Sequence, residues 1–346
     1  MPPTEGDRLP ADFESQVIAD VAAFFGSHVP GRVTSTTRIR NPYSDVYRIA
    51  IKLGEQFECV YVKLPHHTAA NHGSLKRRLK TEFEVMRTLS ERWHDNTRHG
   101  VIEPIAYYPE IPAIVTREAL GRQLRERYRT SARIVGLPGP RKNLFQSVSH
   151  CGKWLKEFQL ATVVDRRPFD IDELLTYCEI RIKLLISDAD AGVSNDLAGK
   201  LIKTAEKISQ TTLAQATLVS GRHNDFASHN VISSGSSIHV IDFSMFDYGA
   251  TAYDPCNFWL ELEMLKYDWT YSRDVLSALQ ERFMSAYGEI TPNDPVFMLA
   301  RVRYSLNRLL TALSDRSGWR PDARYRRRAA EVSRDWLLNF ANRGEQ

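Results

Sequence analysis

The sequence predicts an α+β fold in which a small antiparallel β-sheet with one long helix precedes a larger, mainly helical part. Residues 46–64 alternate apolar and polar side chains on both sides of a Gly54-Glu55-Gln56 turn, as in an antiparallel hairpin. Residues 73–93 repeat apolar side chains at helical spacing, and helical stripes dominate from about residue 144. A chain of 346 residues is long enough for two lobes with a large shared core.

Composition excludes several classes of protein. Apolar residues make up 42% and charged residues 25% of the chain, no apolar run approaches a membrane span, and the net charge is only +4. The N-terminal residues are polar and acidic, unlike a secretory signal or a transit peptide. The four cysteines have no C-x-x-C spacing, so we expect free thiols in a reducing, cytoplasmic compartment.

Lys63 ends a strand face that it shares with Phe57, Cys59 and Tyr61. A lysine on an otherwise apolar face needs an acidic partner or a ligand, although its ammonium can also reach solvent. On the helical stripe that follows, Glu82 is the only acid, and a buried carboxylate needs a cation nearby. We therefore expect Lys63 to pair with Glu82.

The densest polar motif is His223-x-Asp225-x-x-x-x-Asn230, followed twelve positions later by Asp242 in Val-Ile-Asp-Phe. Residues 233–237, around a central glycine, predict a turn between two short strands. Phosphoryl transfer needs such a set, with one carboxylate beside the attacking hydroxyl and an amide oxygen plus a second carboxylate on magnesium. The alternative is a surface loop with an incidental Asp and Asn.

These residues resemble the aminoglycoside phosphotransferase family, a branch of the protein-kinase-like fold. The family carries the same H-x-D-x-x-x-x-N motif, then I-D-F, then a Y-D pair that is here Tyr253-Asp254. The segment TEFEVMRTL is similar to the family helix that bears the lysine's glutamate partner. The resemblance implies a bilobal fold: an extension with one helix (1–30), a nucleotide-binding N-lobe (31–118) and a catalytic, substrate-binding helical C-lobe (119–346).

The resemblance also implies roles for individual residues and the cofactors ATP and Mg²⁺. Asp225 would orient the acceptor hydroxyl and take its proton, and Asn230 and Asp242 would bind Mg²⁺. For the nucleotide, Lys63 paired with Glu82 would hold the phosphates, Ser44 would donate a hydrogen bond to a phosphate, and Glu118 would lie in the hinge that holds adenine. His223 and Asp254 would be structural supports.

Two departures from the family pattern bear on these roles. The turn over the phosphates, residues 41–45, contains no glycine, so Ser44 could donate to a phosphate or belong to a plain turn. Ser244 stands where many members have an acid, which leaves the number of magnesium ions, one or two, open. Preference for ATP over GTP and the oligomeric state have no signature in the sequence.

The spacing between Asp242 and Asp254 favours a small-molecule acceptor. Twelve positions leave no room for the activation segment on which protein kinases place a peptide, and no A-P-E motif is present. Arginine-rich stretches in the second lobe favour an anionic partner, such as a phosphorylated or acidic sugar, or a lipid-linked glycan at an anionic membrane surface. Solvated protein surface is the alternative, and no nucleic-acid-binding module is recognisable. These stretches contain Arg122, Arg125, Arg127, Arg129, Arg133, Arg141 and Lys142, and later Arg316, Arg320, Arg324, Arg326, Arg327 and Arg328.

Two hypotheses of different classes follow from the sequence. The first is an ATP-dependent kinase that phosphorylates a hydroxyl of a small molecule, such as a sugar or glycan precursor. The second is a kinase-like, nucleotide-binding regulatory protein without turnover. The complete set of polar motif residues favours the first hypothesis, whereas the glycine-free turn and Ser244 favour the second.

Overall fold

The chain forms two compact units, each made of two stretches of sequence. The computed structural model describes residues 8–68, 71–96, 98–135, 138–213, 216–314 and 321–343. The first unit comprises residues 1–122 and 230–246, and the second comprises residues 123–229 and 247–346. Residues 230–246 therefore return the chain to the first unit after more than a hundred residues of the second.

The first unit is a five-stranded antiparallel sheet with a helix packed on its buried face. Its elements are α1 (Ala11–Phe24), β1 (Arg32–Arg40), β2 (Ser44–Leu53), β3 (Gln56–Pro65), α2 (His72–Arg92), β4 (His99–Val101), β5 (Pro104–Tyr108), β6 (Ala113–Arg117), β10 (Val231–Ser233) and β11 (Ile238–Val240). The strand order of the five-stranded sheet is β1-β2-β3-β6-β5. In a smaller sheet, β11 pairs in parallel with β4 and antiparallel with β10.

The predicted hairpin is confirmed as β2 and β3, which pair in register from Ser44–Pro65 to Leu53–Gln56. Gly54 closes it with a φ of 61°, a conformation that glycine adopts without steric cost. The buried face of β3 carries Val60 and Val62, which pack with α1. The expectation of an apolar face around Lys63 was wrong in part: Phe57 is 65% exposed, because the core lies on the other side of the strand.

Helix α2 has one buried stripe, as its periodicity predicts. Leu75, Leu79, Glu82, Met86 and Leu89 are its buried residues, so the only acid of the stripe is inside the protein. The stripe places Glu82 on the side of the helix that faces away from solvent, where a carboxylate requires a cationic partner.

The second unit is mainly helical. Its elements are β7 (Arg122–Gln123), where the chain passes from one unit to the other, α3 (Leu124–Ser131), α4 (Pro138–Ala161), β8 (Asp165–Arg167), α5 (Ile171–Ile186), α6 (Asn195–Thr212), β9 (Thr217–Arg222), β12 (Asp247–Ala250), α7 (Tyr253–Leu265), α8 (Arg273–Tyr287), α9 (Pro295–Ser314) and α10 (Pro321–Asn342). Strands β12, β9 and β8 form an antiparallel sheet beside the helices. Within the described residues, no helix combines the length and the apolar character needed to cross a bilayer.

The stretch 122–143 is rich in Arg, Gly and Pro, which predicts a loop, but its structure differs from that prediction. It contains α3 and the beginning of α4. In α3, Leu124 and Tyr128 lie four residues apart and are both buried, which is enough to anchor a short helix of arginine and glutamate, both good helix formers. Pro138 is the first residue of α4, and the first turn is where a helix tolerates proline. This proline therefore marks the start of a helix and not a loop.

Candidate active site

In the first unit, the Lys63 ammonium lies between two carboxylates. Its Nζ donates to Glu82 Oε1 at 3.1 Å and to Asp242 Oδ1 at 2.7 Å. Glu82 is 2% exposed, whereas the side chains of Lys63 and Asp242 are 23% and 37% exposed. The three residues form a cluster that is buried at Glu82 and accessible to solvent at Asp242.

Three elements position this cluster. Lys63 is near the end of β3, opposite Val46 on one side and Ile114 on the other. Glu82 comes from the buried stripe of α2, and Asp242 follows β11 by two residues. Asp242 has a φ of 65°, a left-handed conformation in which aspartate is enriched among non-glycine residues. The turn predicted at residues 233–237 joins β10 to β11, with Gly235 at a φ of 97°.

The charges of the cluster stabilise one another. Burial lowers the pKa of the Lys63 ammonium, but Glu82 and Asp242 outweigh this effect and the net shift is upward. Burial raises the pKa of Glu82, and the Lys63 charge opposes that shift. The backbone N–H of Phe243 also donates to Glu82. Lys63 is therefore held as a cation.

Glu118 lies at the end of β6 in a network that the sequence did not reveal. Arg48 binds both of its oxygens, at 2.7 and 2.9 Å, and the Tyr61 hydroxyl donates to it at 3.1 Å. The backbone N–H of Glu118 donates to the Cys59 carbonyl at 2.9 Å. Its side chain and its amide are thus both engaged within the sheet, which fixes the backbone at this point.

Ser44 is the first residue of β2 and is 9% exposed. The turn before it is shorter than predicted, since the strand already includes Ser44 and Asp45. The backbone N–H of Asn41 donates to the Ser44 carbonyl at 2.9 Å, and this hydrogen bond closes the turn. Tyr43, at its tip, is 84% exposed.

Asn230 ends a short 3-10 turn, Ser228–Asn230, and leads directly into β10. It is 3% exposed, and its carbonyl accepts the backbone N–H of Ile241 at 3.0 Å. This bond ties Asn230 to the residue before Asp242. The backbone therefore keeps the amide and the carboxylate of the predicted metal site close in the same unit.

In the second unit, Asp225 stands on a loop that follows β9. Its side chain is 46% exposed. Asp254, in the first turn of α7, is completely buried and accepts the backbone N–H groups of His223 and Asn224 at 2.7 and 2.8 Å. Burial raises the pKa of Asp254, while these two bonds oppose the shift. Asp254 braces the loop, and the residue at the N-cap position of α7 is Ala252.

Residues on both sides of Asp225 anchor the loop in the core. Phe226 is fully buried and stacks on Trp154, with ring centroids 5.2 Å apart. The buried ring of His223 packs edge-on against Phe226. Two residues after Phe226, Ser228 donates its backbone N–H and its hydroxyl to the two carboxylate oxygens of Glu261, at 2.8 and 2.5 Å.

The His229 side chain contacts Asp225. Its Nε2 lies 3.1 Å from Asp225 Oδ2, and this hydrogen bond raises the pKa of the His229 imidazole against the opposing effect of burial. No role for His229 follows from the sequence motif.

Arg222, the last residue of β9, holds the other end of the loop. It is 3% exposed and binds both oxygens of Asp247, at 2.7 and 2.8 Å, and Glu173 at 2.7 Å. Asn224 donates to the same Asp247 at 2.7 Å. Gly249 leaves room for the guanidinium, because a Cβ there would lie 2.3 Å from the Arg222 Cζ.

Solved structures with a similar fold include small-molecule kinases. The chain is similar to aminoglycoside phosphotransferase APH(2'')-Ib bound to ADP, at 14% identity and a TM-score of 0.54, over 95% of this chain and 99% of that one. It is also similar to a thermostable mutant of aminoglycoside phosphotransferase APH(4)-Ia in complex with ADP and hygromycin B, at 14% identity and a TM-score of 0.57, over 94% of this chain and 98% of that one. This protein has an aminoglycoside phosphotransferase-like, protein-kinase-like fold.

The kinase-like fold is shared with choline kinase LicA from Streptococcus pneumoniae, at 12% identity and a TM-score of 0.53, over 95% of this chain and all of that one. No protein-family profile matches the chain, and no curated protein matches it significantly. Identities this low establish the fold, and the roles of individual residues have to be argued from the site itself.

Within the kinase-like fold, the structure brings together two groups of predicted site residues. Lys63, Glu82 and Asp242 contact one another in the first unit, and Asp254 bonds the loop of His223 and Asp225 in the second. Sequence reasoning missed Arg48, Arg222 and Glu261. Their partners lie 70, 25 and 33 positions away, so no local pattern identifies them.

Proposed function

We propose that the protein is an ATP-dependent phosphotransferase that phosphorylates a hydroxyl group of a small molecule. The observation that carries this proposal is the Lys63 ammonium held by Glu82 and Asp242, residues 19 and 179 positions away in sequence. A strand lysine paired with a helix glutamate is the arrangement with which kinases hold nucleotide phosphates.

The first unit would bind the nucleotide. Lys63 offers a cation whose position is fixed by Glu82, so it is ready for the α- and β-phosphates. The backbone at Glu118, held by Arg48 and the Cys59 carbonyl, would present its carbonyl to adenine. Ser44, at the start of β2, would donate to a phosphate.

The donor set fits Mg²⁺ shared with phosphate oxygens. Asp242 and Asn230 provide a carboxylate and an amide oxygen, both of the hard type that Mg²⁺ prefers. Among the described residues, no group of three or more His, Cys, Asp or Glu side chains could hold a metal alone. Such a partial set suits Mg²⁺, which usually takes one or two carboxylates plus substrate phosphates and water.

Asp225 would act on the acceptor. When bound, ATP would supply the phosphoryl group, and its Mg²⁺ would offset the negative charge of the phosphates. Asp225 orients the acceptor hydroxyl and accepts its proton, which requires a carboxylate open to a ligand, and the side chain is 46% exposed. Asp254 and Phe226 keep the loop rigid, so that the carboxylate is positioned before the substrate arrives.

A small-molecule acceptor is supported by the short path from Asp242 to α7. Only β12, a four-residue strand paired with β9, lies in this interval, where a peptide-binding segment would have to be. The structurally similar APH(4)-Ia was solved with hygromycin B, and LicA is a choline kinase. Within the class of small molecules, we propose that the acceptor is a sugar or a glycan precursor.

The test is transfer of phosphate from ATP to a panel of sugars and amino alcohols, together with calorimetric titration of Mg-ATP. We expect Lys63→Ala to weaken nucleotide binding and lower kcat, and Asp242→Asn to weaken metal-dependent nucleotide binding as well as turnover. Lys80→Ala, at a lysine of α2 whose side chain is 65% exposed, is the control. Normal turnover in Lys63→Ala would remove the proposed role of this strand.

The second candidate is a nucleotide-binding regulatory protein without turnover, favoured by Ser244 in place of an acid. Both candidates predict that Mg-ATP binds. They differ in turnover, because a regulatory protein binds Mg-ATP without transferring phosphate to any acceptor and without measurable ATPase activity.

A further inference from the structure

The second unit contains a cavity of about 860 Å³ beside the Asp225 loop. Its volume lies within the range of small-molecule sites. Helix α3 lines one side, and the segment that joins α7 to α8 lines the other. Backbone hydrogen bonds from Ile134 to Thr270 and from Ser272 to Ala132 connect these two walls, at 3.1 and 2.9 Å.

The cavity adjoins the catalytic loop through Ser228 and Glu261, which both line it and bond to each other. His229, the residue after Ser228, lies 3.1 Å from Asp225 through its Nε2. The cavity wall is therefore one residue along the chain from the side chain that contacts Asp225.

The charges of the cavity wall favour an anion. Arg125, Arg129 and Arg133 line it, are exposed, and form no ion pair with an acidic residue in the part of the chain that the structure describes. The two acids of the wall are already hydrogen-bonded: Glu261 accepts two bonds from Ser228, and Asp268 accepts two from Thr270. Arg125 donates to the Gln123 side chain at 2.9 Å and Arg133 lies beside the Tyr271 ring, contacts that leave both positive charges uncompensated. Three guanidiniums without an acidic partner among the described residues thus outweigh two hydrogen-bonded carboxylates.

The opposite wall is aromatic. Tyr267, Trp269 and Tyr271 line the cavity, and Trp269 is 85% exposed. The Arg133 guanidinium lies 6.0 Å from the centre of the Tyr271 ring. Aromatic rings beside guanidiniums offer both a flat apolar surface and charged donors, a combination that suits a ring bearing an anionic group.

Tyr128 supplies an independent sign of a ligand. It lines the cavity and is 1% exposed, yet its hydroxyl has no hydrogen-bond partner among the described residues. A buried tyrosine hydroxyl normally has a partner. A polar group in the cavity would provide one.

We propose that this cavity binds the acceptor, and that the acceptor is a hydroxylated ring compound carrying a carboxylate or a phosphate. The proposal rests on the phosphotransferase function proposed above and adds to it the charge class of the substrate. The oxyanion pairs with Arg129 and Arg133, the ring packs on the aromatic wall, and a free hydroxyl points towards Asp225.

The experiment uses the full chain and hexoses that share one ring and differ in charge: glucose, glucosamine, glucuronate and glucose 6-phosphate, with inorganic phosphate as the probe without a ring. Calorimetry without nucleotide measures binding, and a separate assay with ATP measures transfer. The variants are Arg129→Gln and Arg133→Gln. Arg282→Gln, at an exposed arginine of α8 that does not line the cavity, is the control.

We expect glucuronate or glucose 6-phosphate to bind about tenfold more tightly than glucose, and glucosamine to bind most weakly. Each cavity variant should weaken the anionic sugar about three- to tenfold and leave glucose unchanged. A preference limited to one of the two sugars identifies the oxyanion as carboxylate or phosphate. Arg282→Gln should change nothing.

The outcomes separate this proposal from the proposed function. Anion-selective binding without transfer would support the cavity assignment and contradict phosphotransferase activity on these acceptors. Transfer to glucose or glucosamine, unaffected by the arginine variants, would support the phosphotransferase and overturn the charge class. Failure of both anionic sugars and of inorganic phosphate to bind more tightly than glucose would also overturn it.

Discussion

In the first unit the charged side chains of the candidate site bind one another, whereas in the second unit the carboxylate proposed to accept the proton is positioned through its neighbours. Lys63, Glu82 and Asp242 form a continuous network that ends in a fully buried acid. Asp225 remains half exposed, and its loop is fixed by bonds to Asp254 and by the buried ring of Phe226.

The difference corresponds to two chemical tasks. A residue that holds phosphates needs a permanent charge in a fixed place, and surrounding carboxylates secure both. A residue that accepts a proton has to stay open to its substrate, so rigidity has to come from the backbone around it. Variants that remove one of the two kinds of support should therefore fail in different assays.

The largest effect is expected when the network of the first unit is broken. Lys63→Met leaves Glu82 buried without its cation, which should lower the free energy of unfolding by about 3–5 kcal/mol. Chemical unfolding measures this loss. Lys80→Met, at an exposed pair with Glu84 on α2, is the matched control and should cost less than about 1 kcal/mol.

The double variant Lys63→Met/Glu82→Leu sharpens this prediction. It removes the uncompensated charge and should recover most of the lost stability. Equal stability of Lys63→Met and the unmodified protein would show that the buried pair does not stabilise the first unit.

The second largest effect concerns Asp225, where activity and stability should separate. Asp225→Asn keeps the size of the side chain but removes the base, so kcat should fall about 10²-fold, ~2.7 kcal/mol in the barrier. Mg-ATP affinity and unfolding should stay unchanged, because the loop is held by other residues. Asp172→Asn, an exposed site on α5, is the control. Unchanged turnover in Asp225→Asn would remove its catalytic role.

Asp254→Asn tests whether the backbone support matters for catalysis. The amide can accept only one of the two N–H groups that the carboxylate binds, so we expect a loss of about 1–3 kcal/mol in stability. Turnover should fall as well, because residues 223 and 224 lose their anchor. A variant with full turnover at reduced stability would show that the brace serves folding alone.

The smallest effect is expected at Glu118, in a partly exposed pair of the first unit. Hydrogen bonds from Arg48 lower the pKa of Glu118, so its charge stabilises the fold above the unfolded pKa, about 4.3. Glu118→Gln should cost about 1 kcal/mol near neutral pH. The difference should shrink as the pH falls through the folded pKa of Glu118. Urea unfolding at neutral and acidic pH measures it, and a difference that grows with acidity would contradict the assignment.

Periodicity predicted the parts of the fold in which one face meets a core. The β2–β3 hairpin and the α2 stripe are strong repeats, and the position of Glu82 in that stripe already required a cation. Helix α3 was missed because only Leu124 and Tyr128 anchor it, and its arginines suggested a solvated loop.

Contacts between distant segments account for what the sequence did not reveal. Asp242 reaches Lys63 across 179 positions, and only the resemblance of the motif linked them. The bonds of Arg222 to Asp247 and of Ser228 to Glu261 involve ordinary polar and charged residues. Such residues give no signal until the chain path brings them together.

The return of residues 230–246 to the first unit imposes an order on folding during synthesis. Strand β4 cannot acquire its partner β11 until residue 240 has left the ribosome, well after the rest of the first unit. At about 5–20 residues per second, the 124 residues between positions 122 and 246 take roughly 6 to 25 s to make. For that time the first unit lacks the strand that carries Asp242 to Lys63, and Lys63 and Glu82 have only each other. The cluster of Lys63, Glu82 and Asp242 is therefore completed after the helices from α3 to α6 have been synthesised, and a fragment that stops at residue 122 would never complete it.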